Sequence, residues 1–403
     1  MDLRSEFPYW SIRNGLLHAY PSLQQSVRTD VAVIGAGITG ALISYRLMEA
    51  GLSVVVTDRR HVGMGSTSAS TALLQYEIDT HLTQLAEWYG LPAAREAYSL
   101  CLDAIDRVHD LCREVGIGQD FRYAPSLYYA TFRKDLPDLY REYQARRAVG
   151  IGVEWIDEAL FRRQYPFPAP GAILSEKAAE VDPYRLAHAL LERVAAAGNG
   201  VHNQTEVVRV TEKRGGVELE TGDGHRITAK YLVVAAGYES ERWLGKQPGR
   251  LHSSYALVSE PTGRQELWKD NCLMWETARP YLYFRTTADG RVIAGGRDDA
   301  FQSPGKRDSR VFAKSRQLEA DVRKRFPELP FRTDFCWAGT FAETEDGLPF
   351  IGRHPGHPRT WFSMGFGGNG ITFSSVAADT IAQEIAGVKK AVPAIFSFHR
   401  KRK

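Results

Sequence analysis

Cysteine is scarce in this sequence: four residues in 403, Cys101, Cys112, Cys272 and Cys336. No two are spaced as CxxC, so neither a zinc knuckle nor a redox dithiol is expected, and no metal site with them. Such sparse usage fits a reducing, cytoplasmic setting. Charge of one sign is also missing. Lys and Arg total 51 against 48 Asp and Glu, a net +3, which gives no reason to expect a nucleic-acid partner. The basic run HRKRK at 399–403 is expected to be a frayed, solvated tail. No run approaches the roughly 18 apolar residues of a membrane-spanning helix, so no integral membrane segment is expected. The opening MDLRSEFPYWSIRNG is charged and lacks the apolar core of a secretory signal. Internal repeats and low-complexity segments are absent.

What remains is an ordinary globular composition, 43% hydrophobic and 25% charged, in a chain too long for one hydrophobic core. The periodicities alternate in kind along it. Residues 29–34 (TDVAVI) read as a short buried strand ended by glycine, 41–50 as a helix closed by Gly51, and 52–57 (LSVVVT) as a second strand with Asp58 at its tip. That is a complete βαβ unit. Residues 81–116 have helical spacing, with a break expected at Pro92. Further helices are expected over 136–149, from Asp182-Pro183 (an N-cap and first-turn proline) through 197, over 309–326 and over 372–385. Short antiparallel strands are expected at 207–212, 217–221 and 226–229, a buried strand at 231–236, and a second sheet from 255–260, 273–276, 281–286 and 292–295, with a hairpin at Asp289-Gly290. Residues 1–28 read as an irregular extension over the outside of the fold.

Parallel-strand signals near 31, 54, 202 and 232 are thus interrupted by an antiparallel region. This predicts an α/β fold: a Rossmann-like dinucleotide-binding domain (29–90, 175–245 and 335–390) interleaved with an α+β substrate domain on an antiparallel sheet (91–174 and 246–334), after an extension at 1–28.

The first turn carries chemistry. Gly35-Ala36-Gly37-Ile38-Thr39-Gly40 is a GxGxxG directly after a strand and opening a helix. Gly35 permits the turn, Gly37 lets the backbone approach a pyrophosphate, and Gly40 lets helix and strand pack closely. The helix N-terminus offers unpaired N–H groups and partial positive charge to the phosphates. Asp58, 18 residues after Gly40, is placed to accept hydrogen bonds from ribose hydroxyls. Arg59 and Arg60 follow it. They would suit a 2′-phosphate, but the adjacent carboxylate would repel one, so they read as arginines near adenine or phosphate.

Three later segments extend the site. Gly65, Ser66, Thr67, Ser68, Ala69 and Ser70 form a hydroxyl-rich turn able to wrap a phosphate and the face of a flat ring. The strand at 233–237 ends in Ala236 and Gly237, small enough for a nucleotide to lie close. Gly367, Gly368, Asn369, Gly370 and Ile371 lead into the last helix and supply a second helix N-terminus, suited to a ring that becomes anionic on reduction.

With GAGITG, GSTSAS, VVAAG and DGLPFIG followed by GFGGNGI in this order and spacing, the chain resembles the D-amino acid oxidase, glycine oxidase and sarcosine oxidase superfamily of flavoproteins over about residues 29–388. Its N-terminal PYW resembles the gamma-glutamylputrescine oxidase branch. The resemblance implies an extended FAD. Its adenine would lie near Asp58, Glu206 and Val207, its pyrophosphate at the first glycine turn, and its ring between 66–70 and 365–371. It implies oxidation of a C–N bond in a small amine or amino acid, by hydride transfer giving an imine, with oxygen or another acceptor taking the electrons. The FAD would be non-covalent, because Cys336 falls too early to match the attachment cysteine of some members. The lysine that sarcosine oxidases use with oxygen has no counterpart between Arg279 and Arg297.

Candidate catalytic residues are Arg285, as a carboxylate clamp, Tyr283, closing the pocket from the same strand face, and Arg297. The alternatives are a solvated strand face for the first two and a surface salt bridge for Arg297. Gln75-Tyr76-Glu77 are candidate pocket residues or a polar strand end, and His61 reads as structural. Three other functions stay open: an NAD(P)-linked reductase, for which a second GxGxxG is missing; a flavin dehydrogenase or hydroxylase on a non-amine substrate; and a non-catalytic FAD-holding subunit. Oligomeric state is not legible.

Overall fold

A computed structural model describes the chain except for Met1, Glu6, 246–248, Gln265, Gln302 and 389–391; the domain limits expected at 246 and 390 fall outside the described residues. Its strands form two sheets.

The first sheet runs, in spatial order, Phe350–Arg353, Thr360–Met364, Arg226–Val234, Val27–Ile34, Val54–Thr57 and Gly200–His202. All neighbours are parallel except the outer pair, Phe350–Arg353 with Thr360–Met364. A strand covered on both faces need not alternate in polarity, and this explains a run such as Val54–Thr57, buried throughout. Parity still sorts the side chains. Val31 and Val33 join Val54, Val56 and Val233 in the core beneath the helices, whereas Ala32, Ile34, Val55, Leu232 and Val234 face a second cluster with Val217, Leu219 and Phe362. Helix Ile38–Glu49 packs centrally, between Pro183–Ala196 and Gly370–Ile385.

Two strands expected separately at 226–229 and 231–236 are one, Arg226–Val234. Its first half pairs antiparallel with Gly216–Thr221, and its second half runs parallel to Thr360–Met364. A change of partner, not a break in the chain, produced the apparent gap.

The second sheet runs Thr333–Glu343, Arg250–Ser259, Val292–Asp299, Tyr283–Thr286, Leu273–Glu276, Phe121–Tyr129, Gly171–Val181 and Leu73–Leu74, with Val153–Asp157 pairing with Gly171–Val181. It is antiparallel as expected except for one parallel pair, Leu273–Glu276 with Phe121–Tyr129. Helix Pro304–Arg325 covers one face through Val311, Leu318 and Val322, which meet Leu257, Met274 and Phe284. The other face looks toward the first sheet.

Three expectations need correction. The helical segment breaks at Gly90, where φ is +89°, between Leu82–Tyr89 and Leu91–Glu114; Pro92 sits harmlessly in the first turn of the second helix. The N-terminal segment is not merely external, since it forms a helix, Tyr9–Asn14, that buries Tyr9 and Trp10. The C-terminal tail is not frayed. Arg400 is buried on Asp346 (2.7 Å) and donates to the carbonyl oxygens of Leu348 and Pro349, while Arg402 covers the ring of Trp88. His399 and residues 401–403 are exposed as expected; Arg400 alone turns inward, to a buried carboxylate.

Candidate active site

Between the sheets lies a long cavity of about 480 Å³, within the usual range for small-molecule sites. One end is built by the glycine turn. The N–H of Gly35 donates to the Thr57 carbonyl (2.8 Å), and that of Ala36 to Asp58 Oδ2 (2.8 Å). Gly35 has φ +109°, and a Cβ there would sit 2.4 Å from the carbonyl oxygen of Ala235; one at Gly40 would sit 1.8 Å from that of Gly35. No side chain is compatible with either contact. Helix Ile38–Glu49 begins here with no cap from Gly37, and its first turn, Ile38 and Thr39, lines the cavity with the positive end of its dipole. Asp58 also accepts from the Arg60 N–H. Burial pushes its carboxyl up, opposed by those two N–H groups. Arg59 and Arg60 both pair with Glu239, at 2.5 and 3.0 Å, and Arg242 pairs with Glu206 (2.8 Å).

The middle is the hydroxyl-rich turn, a short helix Ser66–Ala69. Two distant tryptophans hold it: Trp337 Nε1 donates to the Ala69 carbonyl (2.8 Å) and Trp10 Nε1 to that of Ser70 (2.6 Å). Thr67 Oγ1 accepts the Ile38 N–H (2.9 Å), tying this turn to the phosphate turn. Opposite lies the loop before helix Gly370–Ile385, which also starts without a side-chain cap. Asn369 fixes this loop by donating to the carbonyls of Gln75 and Glu77.

The far end is roofed by the second sheet. Tyr281, Tyr283 and Trp275 line it; the Tyr281 ring lies 5.9 Å from that of Tyr283 and 6.2 Å from that of Trp275. Gly295 leaves the space the Tyr283 ring fills, since a Cβ there would meet it at 2.2 Å. Glu77, Asp79 and Asp298 also line this end. Burial pushes the Asp298 carboxyl up to about 6; the Ser254 hydroxyl pulls it down and Asp79 adds to the rise.

The model of the DAO family, FAD-dependent oxidoreductases, matches residues 30–384. The chain belongs to this family. It is 26% identical over 379 residues to the gamma-glutamylputrescine oxidoreductase of Escherichia coli (strain K12), covering 91% of this chain and 86% of that one. It is likewise 26% identical over 379 residues to the glycine oxidase of Geobacillus kaustophilus (strain HTA426), covering 88% and 92%. The crystal structure of glycine oxidase from Geobacillus kaustophilus superposes with a TM-score of 0.77 at 23% identity, covering 93% of this chain and 99% of that one. An L-amino acid deaminase from Proteus vulgaris gives 0.76 at 18% identity, covering 95% and 100%.

As a DAO-family oxidoreductase the chain binds FAD, and the cavity fits that molecule on its own evidence. Two helix N-termini face it at separate points, neither capped by its own N-cap side chain, although Thr67 takes the Ile38 amide of the first. Ser66 Oγ, which belongs to the cavity lining, is buried with no hydrogen-bond partner among the described residues, as expected of a group waiting for a ligand. Of the cofactor residues expected from sequence, all line the cavity except Gly40, which serves helix–strand packing, and Ser68, whose hydroxyl turns back to the Gly65 carbonyl.

The catalytic candidates divide. Tyr283 lines the DAO-family cavity, as do Gln75 and Glu77. Arg285 shares the face of Tyr283 but lies past the cavity's edge. It is buried, paired with Glu180 (2.9 Å), and donates to the carbonyls of Thr71, Ala72, Val181 and Thr286. The alternation was legible; the depth at which the strand leaves the cavity was not. Its reading as a carboxylate clamp is therefore withdrawn. Arg297 is withdrawn too, since it forms a two-pronged pair with Asp321 (2.6 and 2.8 Å) away from the cavity. His61 contacts Asn203, consistent with a structural part. Sequence reasoning missed Trp10, Trp275, Trp337, Asp79 and Asp298 as parts of this site. Asp298 lies in strand Val292–Asp299, three residues past the end expected at 295; Trp10 belongs to the PYW motif, which does not mark it as a donor to a distant carbonyl, and Trp275, Trp337 and Asp79 belong to no motif.

This placement yields a prediction. Arg285→Met should lower stability by about 3 kcal/mol, because it leaves the carbonyls of Thr71, Ala72, Val181 and Thr286 without this donor and Glu180 with Arg122 alone, while leaving FAD affinity unchanged. Urea unfolding beside a flavin titration checks it; unchanged stability with lost substrate affinity would restore Arg285 to the pocket.

Proposed function

We propose that the chain oxidises a C–N bond of a small amine or amino acid, the substrate lying against Tyr281, Tyr283 and Trp275 and an imine leaving as product. The observation that carries this is the continuity of one cavity, from the phosphate-binding turn to a closed aromatic chamber. The bound FAD supplies the acceptor for a hydride. The protein's part is binding and positioning. The tryptophan-held turn at 66–70 fixes one side of the ring's berth, Asn369 fixes the other, and the aromatic roof excludes water from the reacting carbon. The names of the relatives support the substrate class: glycine in one, gamma-glutamylputrescine in another.

The FAD is held non-covalently in this reading, since none of the four cysteines lines the cavity. Oxygen or another acceptor then takes the electrons; among the described residues no lysine lines the cavity to favour oxygen. The test is anaerobic titration of the yellow protein with a panel of amines and amino acids. Bleaching by at least one of them is expected, and the rate of colour return on admitting air separates oxidase from dehydrogenase. A flavin that no amine or amino acid bleaches would refute the reading and favour the FAD-holding subunit.

A further inference from the structure

We propose that the chamber at the far end of the cavity is a receptor for an alkylammonium group, so that the substrate is an amine without a carboxylate on its reacting carbon. This rests on the amine-oxidation reading above and narrows it.

An α-amino acid needs a cation for its carboxylate, and among the described residues none lines this end of the cavity. The arginines that line the cavity are Arg59, Arg60 and Arg242, all at the adenine end with Glu239 and Glu206. Arg285 and Arg297 are engaged with Glu180 and Asp321 outside it. Arg279 lies over the ring of Tyr281 (4.6 Å) and is not part of the lining. Lys314, which helps offset Asp298, is itself paired with Asp299.

What the chamber offers is the opposite charge. Asp298 Oδ1 is buried with no hydrogen-bond partner among the described residues, and so is Glu77 Oε2. Arg146 stands 3.7 Å behind Glu77, on the Oε1 side. Asp79 Oδ2 accepts only a long bond, 3.3 Å, from the Gly368 N–H. A buried acceptor without a donor is costly, and an ammonium entering here would supply three. The tilted rings of Tyr281, Tyr283 and Trp275 complete the arrangement, because aromatic faces attract cations and several rings together form the usual ammonium cage. A carboxylate in the same place would meet Asp79 and Asp298, with Glu77 beside them offset by Arg146.

The test uses three ligands of one shape that cannot be oxidised, because the carbon beside their charged group bears no hydrogen. They are tert-butylammonium, pivalate and the zwitterion 2-methylalanine. Each is titrated into the FAD-loaded protein, with binding read by calorimetry and by the shift in the flavin spectrum. Tert-butylammonium is expected to bind at least tenfold more tightly than either carboxylate-bearing ligand. Asp298→Asn should weaken the ammonium at least tenfold with FAD retained; Asp79→Asn serves as a second variant should the first fail to fold. Pivalate or 2-methylalanine binding as well as the ammonium would overturn the proposal, as would an ammonium affinity unmoved in the variants. A protein without flavin would instead remove the reading on which this one rests, so the two failures are distinct.

Discussion

A Gly37→Glu protein is expected to fold normally and to be colourless. Gly37 caps helix Ile38–Glu49 with φ −78° and ψ −173°, backbone that any residue adopts. The nearest atom to an added Cβ is Thr67 Oγ1 at 3.0 Å, a contact a small rotation relieves. The chain can therefore accept a side chain here, unlike at Gly35 or Gly40. The ligand cannot, because a carboxylate would occupy the space in front of the helix N-terminus where two phosphates must approach, and would repel them. A loss of about 3 kcal/mol in FAD affinity, over a hundredfold, is expected. Circular dichroism and the unfolding midpoint should match those of the wild-type protein stripped of FAD. Retention of stoichiometric FAD by the variant would contradict the assignment of this turn.

Arg146→Met is expected to be among the most destabilising single changes in the chain. Arg146 is wholly buried, 2.8 Å from Glu142 and 3.7 Å from Glu77, with its guanidinium over the rings of Tyr76 and Tyr98. Removing it leaves two buried carboxylates without their cation, at a cost of about 3–5 kcal/mol. The pH dependence has a definite sign. Burial pushes the Glu142 carboxyl up, but Arg146, His81 and the Leu82 N–H together outweigh burial and hold it at about 2, below its ordinary 4.5. A carboxyl depressed in the folded state adds stability above its unfolded value, and that stability is lost as pH falls through the folded one. The wild-type advantage over the variant should be largest above about pH 4.5 and shrink toward about pH 2. Glu77 remains raised by burial although Arg146 pulls it down; loss of Arg146 would raise it further, so it adds to the difference in the same sense and extends the rise to higher pH. Urea unfolding of both proteins across this range checks the claim; a constant difference would show that the pair contributes no proton linkage.

The same network explains why part of the site was legible and part was not. The GxGxxG turn, the acid after the second strand and the glycine loop before the last helix are local patterns. Each places backbone amides by sequence-near geometry, and all three reach the cavity. Glu77 and Arg146 are separated by 69 positions and meet only because Leu136–Ala148 packs under the second sheet. Trp10 and Trp337 reach the carbonyls of Ser70 and Ala69 from opposite ends of the chain. Nothing in a single sequence marks a tryptophan as a long-range donor to a carbonyl. Arg285 illustrates the converse failure. Its alternation with Tyr283 was correct, but period two fixes only the face of a strand. How far the cavity runs along that face is set by Trp10 and the turn at 66–72, which arrive from elsewhere. The acidic chamber was missed because Asp79 and Asp298 acquire meaning only when Tyr281 and Trp275 enclose them.

The central claim is that one cavity, from the glycine turn to the N-terminus of Gly370–Ile385, holds a single FAD. Its most direct test is the absorbance spectrum of the purified protein, followed by denaturation and identification of whatever is released. One equivalent of FAD per chain, freed into solution, is the predicted result. A protein that is colourless as purified, and stays so after incubation with FAD, would contradict it.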